Sequence, residues 1–128
     1  MYAEDAASQC LGVQISDVAP GRATATMTVT DDMVNGHGIC HGGYVFTLAD
    51  TAFAFACNTY DDRTVAAGAT VDFLEPVQAG TTLVAAAAER SRRGRSGVYD
   101  VTVATSGGQV VAEFRGRSRS SGRPMLSD

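Results

Sequence analysis

Two periods organise the chain. Val13, Ile15 and Val18 lead into Pro20 and Gly21, after which Ala23, Ala25, Met27 and Val29 interleave with Thr24, Thr26, Thr28 and Thr30. A period of two with one apolar side predicts a half-buried antiparallel strand, hairpinned to its predecessor through a turn in which glycine supplies the positive φ. Residues 31–43 are polar and glycine-rich and read as loop. From about Gly43 to Asn58 the pattern changes: Val45, Phe46, Leu48, Ala49, Ala52, Phe53, Phe55 and Ala56 cover nearly every side of a helix, which therefore has to be buried. At 1.5 Å per residue it is roughly 24 Å long, the span of a sheet of several strands. Four strand-like segments follow, at about 64–75, 80–91, 97–106 and 109–118, with breaks at 76–80, 92–97 and Gly107-Gly108. The order ββ-α-ββββ packs most economically as an α+β domain, one long central helix wrapped by a curved antiparallel sheet of five to six strands. Residues 1–128 are read as a single domain, with a disordered tail from about 118 to 128.

Composition narrows the class. With 45% apolar and 19% charged residues, the chain can fill one core and is neither disordered nor fibrous. The longest apolar stretch, 44–57, is interrupted by Thr47, Asp50 and Thr51, which excludes a membrane-spanning helix. The acidic N-terminus carries no secretory pattern, and three cysteines (Cys10, Cys40, Cys57) cannot pair evenly. Both point to a reducing cytoplasm. The net charge of −4 divides unevenly: residues 1–89 carry two arginines against eleven carboxylates, and residues 90–128 carry eight against three, with no lysine anywhere. A globally acidic protein lacks the broad positive field that nucleic acid needs. A local arginine cluster fits either a small phosphorylated ligand, gripped by guanidinium forks, or a solvated edge.

Among residues able to do chemistry, Asp50 stands out. It sits mid-helix in a segment built for burial, with Phe46, Thr47, Phe53 and Ala54 at the i±3 and i±4 positions and therefore no cation to pair with. An unpaired carboxylate in such a place is costly unless the fold uses it, and burial with isolation is the usual setting of a tuned acid or base. His41-Gly42-Gly43 opens the same helix. Two glycines there leave backbone N–H groups approachable at the positive end of the dipole, suited to an anion or a developing oxyanion. Asn35-Gly36 reads equally as a turn or as part of a site. His37, Cys40, His41 and Cys57 match no zinc spacing, so no metal is expected. Cys57 lacks an identifiable base and reads as a packed thiol.

The run from Asn35 to Asn58, NGHGICHGGYVFTLADTAFAFACN, closely resembles the signature of phenylacetate-pathway (PaaI-type) acyl-CoA thioesterases of the hotdog fold. The segments TVDFLEPVQAG (70–80) and RRGRSGVYDVTV (92–103) are similar to the same family, so the likeness spans about residues 10–118. It implies that Asp50 is the catalytic carboxylate, that the Gly42 N–H polarises the thioester carbonyl, and that His41 and Asn35 shape the site around it. The family's hydroxyl on the strand after the helix falls at Gly68, with Thr70 close by. Arg92, Arg93 and Arg95 become candidates for the coenzyme A phosphates, and Phe46, Phe53 or Tyr44 for the acyl pocket. No separate cofactor is implied, since coenzyme A arrives as part of the substrate.

Gly42 and Asp50, eight residues apart, stand roughly 12 Å apart along the axis. One helix cannot bring both to one carbonyl. The expectation is a homodimer with shared sites, each Asp50 acting with the partner's Gly42, and a dimer of dimers as is common in the family. The substrate implied is an aromatic acyl-CoA such as phenylacetyl-CoA or hydroxyphenylacetyl-CoA. The other readings are a medium- or long-chain acyl-CoA thioesterase, a non-catalytic acyl-CoA-binding or sensing module on the same fold, and a dehydratase, for which the histidine pattern is missing.

Overall fold

The computed structural model describes residues 1–122. A short helix α1 (Ala6–Cys10) is followed by strands β1 (Gln14–Ala19) and β2 (Arg22–Thr28), the long helix α2 (Gly42–Cys57), and strands β3 (Thr64–Phe73), β4 (Thr82–Arg93), β5 (Ser96–Thr105) and β6 (Val110–Ser120). The six strands form one antiparallel sheet in the order β1-β2-β4-β5-β6-β3, curved around α2. This is the expected hotdog arrangement, with β1 and β3 left as free edges.

The alternation in β2 does what its period requires. Ala23, Ala25 and Met27 are buried against α2, while Thr24, Thr26 and Thr28 face outward. Gly21 closes the β1–β2 hairpin at φ +75°, a conformation that costs a side chain-bearing residue. Phe53 of α2 packs between Tyr99 and Phe114, with ring centroids 5.6 and 5.8 Å away. Gly116 on β6 makes room for it, because a methyl group there would sit 2.8 Å from the Phe53 ring. Burial of a ring of this size contributes roughly 1.5–3 kcal/mol. Asn58 ends the helix: its Nδ2 donates to the carbonyls of Ala54 and Thr64, and its Oδ1 accepts from the Thr64 N–H, so one side chain stops α2 and starts β3.

Three differences from the sequence expectation have plain causes. α1 exists because Asp5 caps it, Oδ1 accepting from the Ser8 N–H and Oδ2 from the Ser8 hydroxyl. The hairpin between β4 and β5 is tighter than 92–97, since Arg92 and Arg93 pair with Gly97 and Ser96 and leave only Gly94 and Arg95 to turn. Of the residues expected as tail, Ser118, Arg119 and Ser120 belong to β6 and pair with its neighbouring strands, while residues 123–128 lie outside the described residues. No described helix is long and apolar enough to cross a membrane.

Candidate active site

The entry to α2 is held from both sides. The Asn35 Oδ1 accepts from the backbone N–H groups of His37 (2.9 Å) and Ile39 (3.3 Å), folding its own loop. The Cys40 N–H donates to the Val77 carbonyl and the His41 N–H to that of Met33, both at 2.7 Å. His41 is the N-cap, and its Nδ1 accepts the Gly43 N–H at 2.9 Å. In the neutral ring the proton is therefore on Nε2. The cap has a consequence next door. Gly42 is the first helical residue, its N–H has no acceptor among the described residues, and the helix dipole lies behind it. His41 thus takes the neighbouring donor, while this one stays open.

That N–H borders an open cleft of about 360 Å³, lined by Asn35, Gly42, Val45, Phe73, Leu74 and Val77 among others. Asn35 and Gly42 both line it. Phe73 and Leu74 were not legible as site residues, although two consecutive apolar side chains at a strand end, followed by Pro76, cannot both face one core.

Asp50 lies elsewhere on the helix. It is half-buried, burial pushes its carboxyl above the usual carboxylate range, and it has no hydrogen-bond or ion-pair partner among the described residues. Gly43, Phe46, Thr47, Asp50 and Ala54, spaced three or four apart, form a stripe that the protomer's own sheet leaves incompletely covered, with Asp50 at its middle. Asp50 does not reach the Gly42 cleft of its own chain.

The other expected positions are spread over the fold. Phe53 is core, 1% exposed, and cannot line an acyl pocket of its protomer. Phe46 is partly exposed and packs edge-on against Phe114. On β3, Ala69 and Val71 face the core, so Thr70 projects to the outer side of the sheet beside Arg115. Gly68 lies under Arg117, whose guanidinium would be 2.8 Å from any Cβ added there. Within a protomer the sheet therefore separates Thr70 from Asp50. His37, Cys40, His41 and Cys57 do not converge, and no three His, Cys, Asp or Glu side chains form a metal-holding group among the described residues. Burial drives the Cys57 thiol up to about 12, which leaves it inert.

The arginines sort into two groups. Arg115 forks onto Asp100 at 2.6 and 2.9 Å, and Arg90 reaches the same carboxylate, so these two are paired within the chain. Arg92, Arg93 and Arg95 have no acidic partner among the described residues. The Arg92 Cζ lies over the Tyr60 ring, 3.6 Å from its centroid. Tyr60 is fixed in turn by Glu89, whose Oε1 accepts from Tyr60 (2.9 Å) and Tyr99 (3.2 Å). This hairpin sits by the C-terminal end of α2, the end away from Gly42.

Comparison with known proteins gives the arrangement relatives. The thioesterase superfamily profile matches residues 37–112. The acyl-coenzyme A thioesterase PaaI of Escherichia coli K12 is 48% identical over 128 residues, covering all of this chain and 91% of that one. The structure of the E. coli PaaI protein from the phenylacetic acid degradation operon superposes with a TM-score of 0.95 at 47% identity, covering 97% of this chain and 90% of the other. A Streptococcus mutans protein (smu.793), solved with acetyl-CoA bound, has a TM-score of 0.83 at 25% identity, covering 88% and 90%.

Proposed function

The chain belongs to the thioesterase superfamily and is an acyl-CoA thioesterase, and from that premise we propose that it hydrolyses an aromatic acyl-CoA, such as phenylacetyl-CoA or hydroxyphenylacetyl-CoA, at two sites shared across a homodimer. One observation carries this reading. The open Gly42 N–H and the partnerless Asp50 carboxylate belong to one helix, eight residues and roughly 12 Å apart, and both face away from the protomer's core. A two-fold axis crossing α2 midway, near Phe46, sets each Asp50 beside the partner's Gly42 and covers the half-exposed stripe. The free β3 edge, with Val65 63% exposed, supports closure on that side. The dimers pair again as a dimer of dimers.

The chemistry follows from the leaving group. A thiolate of pKa about 8.5 departs without a strong acid, so the site needs an oxyanion donor and either a base or a nucleophile. The Gly42 N–H supplies the first. Asp50 supplies the second, either by taking a proton from the attacking water or by attacking the carbonyl itself, and its raised pKa makes it the stronger base. Asn35 borders the carbonyl, and Arg92, Arg93 and Arg95 of the Asp50-bearing protomer meet the coenzyme A phosphates. The reading requires no cofactor and no metal.

The donor role has a clean test. His41 has φ −62° and ψ 133°, the extended backbone that a residue before proline adopts, and proline is well tolerated at a first helical position. Gly42→Pro therefore removes the N–H with the backbone kept, and the ring carbons it adds press on Phe73 as the alanine methyl also does. Gly42→Ala, which adds a methyl but keeps the N–H, is its control. Loss of an oxyanion donor costs about 10²–10³ in kcat. The expected result is that loss for proline and less than about tenfold for alanine. Equal activity of the two variants overturns the role.

A further inference from the structure

Phe73 occupies an unusual place for a large apolar side chain. It ends the edge strand β3 and continues the inward alternation of Ala69 and Val71, yet it is 54% exposed because it reaches past the end of the core. Its ring stands over the helix entry: a methyl group at Gly42 would lie 3.0 Å from the Phe73 Cζ and 3.3–3.4 Å from the two adjacent ring carbons. Contact this close is possible because residue 42 has no Cβ. The backbone beyond the ring is pinned, since the N–H groups of Leu74 (2.8 Å) and Glu75 (3.2 Å) both donate to the Val111 carbonyl. Leu74, 53% exposed, lines the same cleft. The fold thus leaves an aromatic wall uncovered directly beside its one open helix-entry donor.

We propose that Phe73 selects the acyl group, its ring forming the face against which an aromatic acyl chain stacks while the Gly42 N–H holds the thioester carbonyl. The proposal rests on the donor reading of Gly42 given above. A carbonyl oxygen bound at that N–H puts the first acyl carbons within a few ångströms of residue 42, where the Phe73 ring already is. A phenyl group one methylene from the carbonyl then falls in the centroid range of about 4.5–7 Å in which aromatic pairs attract beyond simple burial. Val45 and Val77 close the cleft with aliphatic walls that any acyl chain can use, and an unbranched chain gains only that. The ring–ring increment corresponds to roughly three- to tenfold in kcat/KM between aromatic and straight-chain esters.

The test compares phenylacetyl-CoA with hexanoyl-CoA on Phe73→Leu, which keeps an apolar side chain and removes the ring, and on Phe73→Tyr, which keeps it. Phe73→Leu is expected to lower kcat/KM for phenylacetyl-CoA about three- to tenfold and to leave hexanoyl-CoA within about twofold, with Phe73→Tyr preserving the wild-type ratio. Equal loss on both esters, or none on either, overturns the proposal. So does a change of oligomeric state in Phe73→Leu, which would assign the ring to packing between copies. Failure of the donor reading is seen separately, as a Gly42→Pro enzyme with full activity. Loss of activity in Gly42→Pro with an unchanged ester ratio in Phe73→Leu sinks the selectivity role alone.

Discussion

Replacing Asp50 by asparagine should move activity and stability in opposite directions. The substitution keeps the shape of the side chain, and no hydrogen bond or ion pair among the described residues depends on the carboxylate. Loss of a general base lowers kcat about 10²–10⁴-fold, or roughly 3–5 kcal/mol of barrier, and KM should change little. Stability follows from linkage. Burial raises the Asp50 pKa in the folded state above its unfolded value. Its contribution to stability is therefore full below the unfolded pKa and is lost as pH rises through the folded one. At neutral pH the wild type bears the cost of an ionised, half-desolvated carboxylate that asparagine does not. The variant should therefore unfold at a higher temperature than the wild type at pH 7, by an amount that the hydration Asp50 retains keeps small. Release of the coenzyme A thiol, followed with a thiol-reactive chromophore, reads the first effect, and scanning calorimetry at pH 7 reads the second. The wild-type acidic limb of kcat should also lie above the ordinary carboxylate range and vanish in the variant. A kcat within tenfold of wild type, or a lowered Tm, refutes the reasoning.

Two further outcomes are expected. Neutralising Arg92 and Arg93 together should raise KM for a CoA ester and spare a small thioester that lacks the nucleotide, with the difference shrinking at high salt; equal effects on both substrates would remove the phosphate role. Of the three thiols, exposed Cys10 should react rapidly with an alkylating reagent at pH 8, while buried Cys40 and Cys57, the latter with its pKa pushed up to about 12, should react only on unfolding, as peptide mapping of the labelled protein would register.

What could be read in advance depended on how local the signal was. The period-two face of β2 and the all-round apolar face of α2 carry their burial in their own residues, so the fold class was legible. So were Asp50, as an acid with no cation one turn away, and Gly42, as a bare N–H at a helix entry. Features set by pairing were not. Which face of β3 carries Thr70 depends on its register with Arg115 and on the irregularity between Ala66 and Gly68, and no pattern within β3 encodes either. Phe53 and Phe46 look alike in the sequence, and only the gap at Gly116 makes one of them core. Phe73 reads as one more inward residue of a strand, because its exposure arises from the strand outrunning the helix it covers. The Tyr60, Glu89, Tyr99 and Arg92 cluster joins three separate segments, so no spacing announces it.

The shared site is tested most directly by subunit mixing. Asp50→Asn and Gly42→Pro each inactivate both sites of their own homodimer. When the two are co-folded in equal amounts, half the dimers are mixed, and each of these carries one intact Asp50 opposite one intact Gly42. The account predicts recovery to about a quarter of wild-type kcat per subunit, with coenzyme A released at an unchanged KM. A mixture no more active than the average of its two inactive parents would contradict it.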